Sequence, residues 1–508
     1  MWPLINSGSK GIAQQRSWPV ILGWCILCTS LIGVQLSRAY AGDLLSSLDL
    51  AWSQDPALQS AVQAHQISLT RIPQARAALL PNINLNLQNN RSNGSYSFAD
   101  AQPNSRSIRS NTQALQLTQA LYRPQLRQAL AQAELQAVQS LALLQQAEQD
   151  LMLRLLQAYA ELQMTRNQQE VTAAQLKALA QQLVLARRSL SLGTLAQPDV
   201  DEAQSKFSTA QAQVVEAATQ WRIKRQELLK ITGETLSAEV LAGSAQWKAL
   251  SDSFSVKEWA EGILHQNIGL WMEQARTDAP AVRAQMAAVE VAQREIQKNR
   301  AAHLPTLDFT ASRTHSGSTG NATSVQNFDS ASRINQYGLQ LSVPLYAGGG
   351  TAAKVREANT AWDKAQFDLE MAQRSAESTA LQAYENIAAA KAQILALQSA
   401  IEAARSAVRG NLAGVRLGTR TPLELFNSEQ QLTAALRDWR KARYDLILQV
   451  GKLRAAAGLL EREDFLALNL GFQATLAPIA EWNELLVGQP PNPLNPIESP
   501  QPDKRVLK

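Results

Sequence analysis

Cysteine is almost absent from this chain of 508 residues, because only Cys25 and Cys28 occur. Both lie in an amino-terminal stretch ordered like a secretory signal, with basic residues, an apolar run at 20–34 and the cleavage pattern Ala39-Tyr40-Ala41. The apolar run is short for a membrane span. We therefore expect a signal peptide over residues 1–41. The mature chain would then lack disulfides, and the C-x-x-C spacing would be no metal or redox motif.

Charge and long apolar runs are also scarce. The formal net charge is +5, and loss of the leader, with three basic residues and no acidic one, leaves +2. Such a nearly neutral chain gives no case for nucleic-acid binding. No second apolar run approaches the length of a membrane helix, so any membrane crossing would be made by strands.

Patterns for catalysis are missing as well. The chain has four histidines, which are far apart in sequence, and none of them forms an H-E-x-x-H arrangement. The glycines Gly348–Gly350 lack the lysine and spacing of a phosphate-binding loop, so a tight turn is the better interpretation. We expect no enzyme, with no catalytic residue, no cofactor and no metal site.

The chain contains a duplication instead. Matching pairs recur at an offset of about 224–225 residues; they include Pro56 and Pro280, Pro81 and Pro305, Tyr122 and Tyr346, Tyr159 and Tyr384, Gly233 and Gly458, and the two Leu-Gly-Thr tripeptides. We expect a first repeat at 42–233 and a second at 256–458. Mixed equatorial segments would occupy 234–255 and 459–488, and a proline-rich disordered tail would occupy 489–508.

Each repeat predicts a long helical hairpin. The runs Gln125–Ser191 and Thr351–Arg409 contain no Gly or Pro, and shorter helical runs follow at Asp199–Thr232 and Leu423–Val450. A Gly and then a Pro separate the two members of each pair, which is typical of a hairpin tip. Leucines spaced by three, four and seven residues indicate coiled-coil packing. A short helix before the strands would stack end to end with the shorter hairpin helix along the long one.

Two short alternating segments precede each hairpin. Their apolar residues are Ile83, Leu85 and Leu87; Leu115 and Leu117; Leu307, Phe309 and Ala311; and Tyr337, Leu339, Leu341 and Val343. Polar loops would join the paired strands at Arg91–Ser110 and Ser312–Arg333. This pattern alone fits a transmembrane barrel or a half-buried soluble sheet equally well. Four strands cannot close a barrel, so the chain either oligomerises to close one or keeps its strands in water.

The chain resembles the TolC family of outer-membrane export channels. The most specific match is Gly418-Thr419-Arg420-Thr421, followed by Glu424 and by Ala442-Arg443-Tyr444. Supporting matches are Leu79–Pro81, Pro344–Tyr346 and Ile231–Gly233. The resemblance implies an α+β, mostly α fold. It would be a trimeric outer-membrane β-barrel, with four strands per chain and 12 in total, continued by a long periplasmic α-helical coiled-coil tunnel.

The function implied by the resemblance is the passive exit duct of a tripartite efflux pump or type I secretion system. It would lie in the cell outer membrane with its tunnel in the periplasm. Its partners would be two further copies of the chain, a periplasmic adaptor protein, an inner-membrane ABC or RND transporter and outer-membrane lipid, but no nucleic acid. A periplasmic coiled-coil adaptor or scaffold without a membrane barrel is the alternative, and the apolar strand faces argue against it.

The resemblance also implies site residues. Glu424 and Asn427 would narrow the periplasmic aperture, although Asn427 departs from the acidic residue of the family pattern. A gate link between Arg420 and Asp199 would hold the tunnel shut. The adaptor would dock on the hairpin tips, which comprise Leu192, Gly193, Thr194, Leu417, Gly418 and Thr419.

Overall fold

The structure, a computed structural model, describes residues 44–96, 104–193, 195–233, 261–322 and 325–475. The predicted signal peptide at 1–41, the equatorial segment at 234–255, the tip residue Thr194 and the tail at 489–508 lie outside these residues.

Long helices dominate the described part of the chain. They are α1 (Leu44–Gln54), α2 (Pro56–Ala77), α3 (Pro124–Ser191), α4 (Gln197–Thr232), α5 (Ile268–Asp278), α6 (Pro280–Ala301), α7 (Gly350–Arg416), α8 (Pro422–Ala456) and α9 (Asp464–Thr475). The predicted hairpin helices are confirmed as α3, α4, α7 and α8. Pro lies within the first two residues of three of them, and a Gly follows the end of each. None of the helices that the structure describes is both long and apolar enough to cross a membrane.

Helices α2 and α4 lie one after the other along α3. Ser68 of α2 donates to the carbonyl of Gln136 at 3.1 Å, near the start of α3. Lys224 of α4 lies 2.9 Å from Glu161, near the middle of α3. The predicted end-to-end arrangement is therefore present, and α3 supports both shorter helices.

The end of each hairpin abuts the short helix that opens its repeat. Gly233 after α4 and Gly458 after α8 both have a φ of +72°. A side chain at Gly233 would collide with Gln54, the last residue of α1. At Gly458 it would collide with the backbone of Asp278, the last residue of α5. The two sites are equivalent, so the duplication extends to the packing of the repeats.

The four strands form one antiparallel sheet. They are β1 (Asn82–Tyr96), β2 (Asn104–Tyr122), β3 (Thr306–Ala322) and β4 (Val325–Ser342), in the spatial order β1-β2-β3-β4. With 15, 19, 17 and 18 residues, they run longer than expected. Most of the predicted loops at 91–110 and 312–333 is therefore strand. The loop prediction was wrong because it took the end of apolar alternation as the end of each strand. Backbone pairing between the strands continues through Ser, Asn and Gly.

The register places the predicted apolar residues on one face of the sheet. Ile83 pairs with Leu117, Leu117 with Ala311, and Ala311 with Tyr337, so these residues form one row across all four strands. Ile83 and Tyr337 are 63% and 75% exposed within the single chain. The sheet therefore presents an uncovered apolar face.

Sheet and helices follow the same lateral order. The strands β1, β2, β3 and β4 connect to α2, α3, α6 and α7, and α3 packs between α2 and α6 while α6 packs between α3 and α7. Further along, α4 replaces α2 and α8 replaces α6 in the same order. One chain is thus a strip, with β1, α2 and α4 along one edge and β4 and α7 along the other.

The largest apolar core lies at mid-height of the helices. Phe472 of α9 meets the ring of Tyr159 of α3 edge-on at 5.4 Å and stacks on Tyr444 of α8 at 5.5 Å. All three residues are at most 1% exposed. This core holds the two repeats together about halfway along α3.

Candidate functional site at the hairpin tips

The two hairpin tips have the same backbone. Leu192 closes α3 and Leu417 closes α7, and each is followed by a glycine in the left-handed region, Gly193 at φ +73° and Gly418 at φ +72°. A glycine after the last helical residue ends a helix without steric strain. Apart from the chain neighbours, no atom of the described residues lies within 4 Å of the position that a Cβ would take at either glycine. The leucines are 72% and 78% exposed, so both tips offer an open apolar surface.

The second tip is reinforced by side chains at the start of α8. The Thr421 hydroxyl accepts from the Glu424 N–H at 3.3 Å, and the Thr421 N–H donates to the Glu424 carboxylate at 3.2 Å. This is a capping box, which satisfies two otherwise free backbone donors. The Thr419 hydroxyl donates to the carbonyl of Gly414 at 3.2 Å. Glu424 is thus held in place by the helix that carries it.

The predicted gate link has other partners within one chain. Arg420 Nη1 lies 3.3 Å from Glu424 Oε1, one helical turn away, and both side chains are about half exposed. The Asp199 carboxylate accepts from the backbone N–H of Ala196 at 3.1 Å and so caps the start of α4. Each member of the Arg420–Asp199 pair is therefore engaged locally in this conformation, and their link stays a prediction.

Successive residues of α8 face different surroundings. Each residue of an α-helix turns by about 100°, so Glu424 and Asn427 share one face while Leu425 and Phe426 point away from it. Leu425 packs against the apolar cluster of its own hairpin, which comprises Ile401 and Val408 of α7 and Leu432 of α8. Phe426 is 7% exposed and packs on the first hairpin. Asn427 is exposed, which leaves the face shared with Glu424 open.

One acidic residue near the predicted aperture was not found from the sequence. Glu429 follows Asn427 by two residues, and burial raises the pKa of its carboxyl to about 7. Its neutral form is therefore present near physiological pH. No sequence pattern marks this residue, because the local sequence does not show how far packing covers a side chain.

A basic cluster lies further along α8. Tyr444 is fully buried and its hydroxyl accepts from the side-chain amide of Asn167 at 3.2 Å, while burial raises its pKa to about 12. The guanidinium of Arg443 stacks over Trp439 at 4.7 Å, and burial lowers its pKa to about 10. A cavity of about 160 Å³ between α3 and α8 is lined by residues that include Tyr444 and Arg440.

Within the described residues, no group of three or more His, Cys, Asp or Glu could hold a metal ion.

The sheet has an exposed apolar face and is continued by helical hairpins with open tips. This arrangement is typical of channel proteins in which strands meet lipid and helices form a tunnel. The sequence profile of the outer membrane efflux protein family matches this chain twice, over residues 47–234 and 271–459. The chain belongs to that family. It is therefore an outer-membrane channel protein with a periplasmic helical tunnel, and the adaptor or scaffold alternative is set aside.

Known relatives and structures agree with the family match. The chain is 29% identical over 429 residues to the alkaline protease secretion protein AprF of Pseudomonas aeruginosa, covering 84% of this chain and 86% of that protein. It is 28% identical over 448 residues to the outer membrane protein TolC of Vibrio cholerae, covering 88% and 98%. The crystal structure of VceC from Vibrio cholerae superposes with a TM-score of 0.65 at 17% identity, covering 82% and 96%.

Proposed function

We propose that three copies of this chain form the exit duct of a tripartite efflux or type I secretion assembly. The observation that carries this proposal is the strip with two unpaired edges. Strand β4 of one copy would pair with β1 of the next, and α7 would pack against the next copy's α2 and α4. Three copies close a barrel of 12 strands, and closure removes the strand edges that lipid does not tolerate.

The helical tunnel would be about 100 Å long. Helix α3 has 68 residues and α7 has 67, and a helix rises 1.5 Å per residue. The apolar sheet face would lie in the outer membrane, and the tips at the far end of these helices would lie deep in the periplasm. A duct of this kind conducts passively, and its partners supply the energy.

The tips are the proposed contact with a periplasmic adaptor. Leu192 and Leu417 are exposed and supported by equivalent turns, so one adaptor surface could bind both hairpins in the same way. The adaptor would in turn connect the duct to an ABC or RND transporter of the inner membrane. Two relatives carry protease secretion in their names, AprF and the Dickeya chrysanthemi protein PrtF at 27% identity, which makes exported protein one candidate cargo.

Glu424 and Asn427 are the proposed aperture. Their shared face on α8 is the one left uncovered by its own chain, and threefold symmetry would gather three copies of each around the axis. Three carboxylates in a ring favour cations, and the amide of Asn427 would make this preference weaker than two acidic rings would. Arg420, already beside Glu424, would exchange this partner for Asp199 in the closed trimer.

Purified protein in detergent and in planar bilayers tests the proposal. We expect a native mass of three mature chains and cation-preferring channels with a low resting conductance. A monomer that forms no channels would contradict the proposal. Photo-crosslinking from position 192 or 417 in intact cells, followed by identification of the captured protein, would test the adaptor contact and identify the transporter class.

A further inference from the structure

Phe426 of α8 makes a contact that joins the two hairpins of one chain. Phe426 packs with Leu179 of α3 and Ala210 of α4, and all three are at most 7% exposed. Leu176 of α3 is partly buried against the same group. An apolar side chain of the second hairpin is thus seated between the two helices of the first.

A cation lies over the same ring. Lys206 Nζ of α4 is 5.4 Å from the centroid of Phe426, within the range of a cation–π interaction. Lys206 also lies 2.7 Å from Glu202, one helical turn earlier on α4. The amine is therefore positioned by its own helix, and the aromatic ring comes from the other hairpin.

This contact lies behind the face that carries Glu424 and Asn427. Phe426 is two residues after Glu424 and one before Asn427, and helical geometry places its side chain on the far side of α8 from Glu424. The adjacent Leu425 packs against the apolar cluster of its own hairpin. Phe426 therefore contacts the first hairpin, whereas Leu425 packs against a cluster within its own hairpin.

We propose that Phe426 is a positioning residue for the aperture. Seated against Leu179 and Ala210 under Lys206, it holds α8 in the orientation that defines the resting position of Glu424 and Asn427. Movement of the second hairpin relative to the first withdraws the ring, and the aperture widens. This inference rests on the proposed channel function and adds an apolar contact within each chain to the polar link predicted between Arg420 and Asp199.

Channel recordings of the full-length trimer in planar bilayers test the proposal. Because each trimer holds three copies of the contact, we expect Phe426→Ala to raise the time-averaged conductance by about tenfold. Lys206→Met keeps the apolar stem and removes the charge, and we expect an increase of about threefold. Phe426→Leu keeps most of the apolar burial and serves if Phe426→Ala fails to assemble; it should give an intermediate increase.

The matched control is Leu425→Ala. It removes apolar volume from the same turn of α8 but leaves the contact with the first hairpin, so its conductance should stay at the wild-type level. An equal increase in Leu425→Ala would mean that any loss of packing near the tip opens the channel, and this would overturn the specific role of Phe426.

A reversible crosslink gives a second readout. The mature chain is expected to contain no cysteine. Phe426→Cys combined with Ala210→Cys therefore introduces the two thiols that form the crosslink between the hairpins. The reduced trimer should conduct as Phe426→Ala does, and oxidation should return it to the resting conductance. Wild-type protein without channels would contradict the proposed function itself. Wild-type channels with an unchanged Phe426→Ala variant, or a crosslinked trimer that stays open, would overturn only the role of Phe426.

Discussion

Arg123 and Asp308 join the two repeats where the strands meet the helices. Arg123 Nε lies 2.8 Å from Asp308 Oδ1 and Nη2 lies 2.5 Å from Oδ2, a two-pronged pair between residues 185 positions apart. Arg123 lies between β2 and α3, and Asp308 is the third residue of β3 with 10% of its side chain exposed. The pair fixes the sheet relative to α3, at the expected junction of barrel and tunnel.

Loss of this pair should weaken the assembled protein. Arg123→Ala leaves a nearly buried carboxylate without its partner, and we expect a loss of about 1–3 kcal/mol in unfolding free energy. The measurement is the temperature at which the trimer dissociates in detergent. Arg462→Ala is the control, because Arg462 and Asp49 form an exposed pair at 2.6 Å and its removal should change stability by less than about 1 kcal/mol. Equal shifts in both variants would contradict a special role for Arg123.

A bulky side chain at either hairpin tip should abolish export without preventing folding. Gly193→Trp and Gly418→Trp place a large side chain where the structure leaves open space, so we expect the trimer to assemble but export to be lost. Both positions require a positive φ, so each substitution also strains the turn by about 1 kcal/mol. Gly418→Ala introduces this strain without the bulk and should retain most export. Gly410 lies on α7, before the second tip, and also has open space around it. Gly410→Trp should therefore retain export. Normal export by both tip tryptophan variants would argue against docking there.

The predicted gate link can be separated from helix capping. Asp199→Asn keeps an acceptor for the Ala196 N–H but removes the charge that a link to Arg420 needs. If the link closes the trimer, Asp199→Asn and Arg420→Ala should raise resting conductance to similar extents, and their combination should add little. Exposed pairs contribute about 0–1 kcal/mol each, so a docked partner could break them. Wild-type conductance in both single variants would place the gate elsewhere.

Cation preference should depend on Glu424. Glu424→Gln removes the carboxylate but retains an amide oxygen that can still accept from the Thr421 N–H. We expect the reversal potential in a salt gradient to shift towards that of a non-selective channel. Asn427→Asp adds charge to the same face and should shift it in the opposite direction. Unchanged selectivity in both variants would mean that this face does not line the narrowest part of the channel.

Stability should fall as Glu429 ionises. Burial raises the pKa of its carboxyl to about 7, so the folded state binds this proton more tightly than the unfolded state does. The penalty for ionising the buried group is absent below the ordinary pKa of a glutamate. It grows as the pH rises towards 7 and is complete above that. Glu429→Gln should therefore raise the melting temperature at pH 8 and leave it unchanged at pH 4. A gain that is the same at both pH values would show that the carboxyl does not titrate as described.

The sequence by itself determined the elements and their order. Gly and Pro at 193, 198, 418 and 422 mark both tips, and the uninterrupted runs before them predicted α3 and α7. Such signals act over a few residues, through the φ that Gly permits and the backbone donor that Pro lacks. The apolar alternation of Ile83–Leu87 also predicted the sheet face, since side chains alternate along any strand. The full strand lengths were underestimated because pairing continues beyond the apolar residues.

Only the tertiary structure decided which distant residues meet. Nothing local to Phe426 distinguishes it from Leu425, yet one contacts the first hairpin and the other its own. The same holds for the pair of Arg123 with Asp308 and for the partial burial of Glu429. Such contacts depend on the rotation of each helix about its axis over tens of residues, where an error of one residue turns a side chain by about 100°. Local sequence patterns do not determine the rotation of each helix. The packing of the helices and strands against one another determines it.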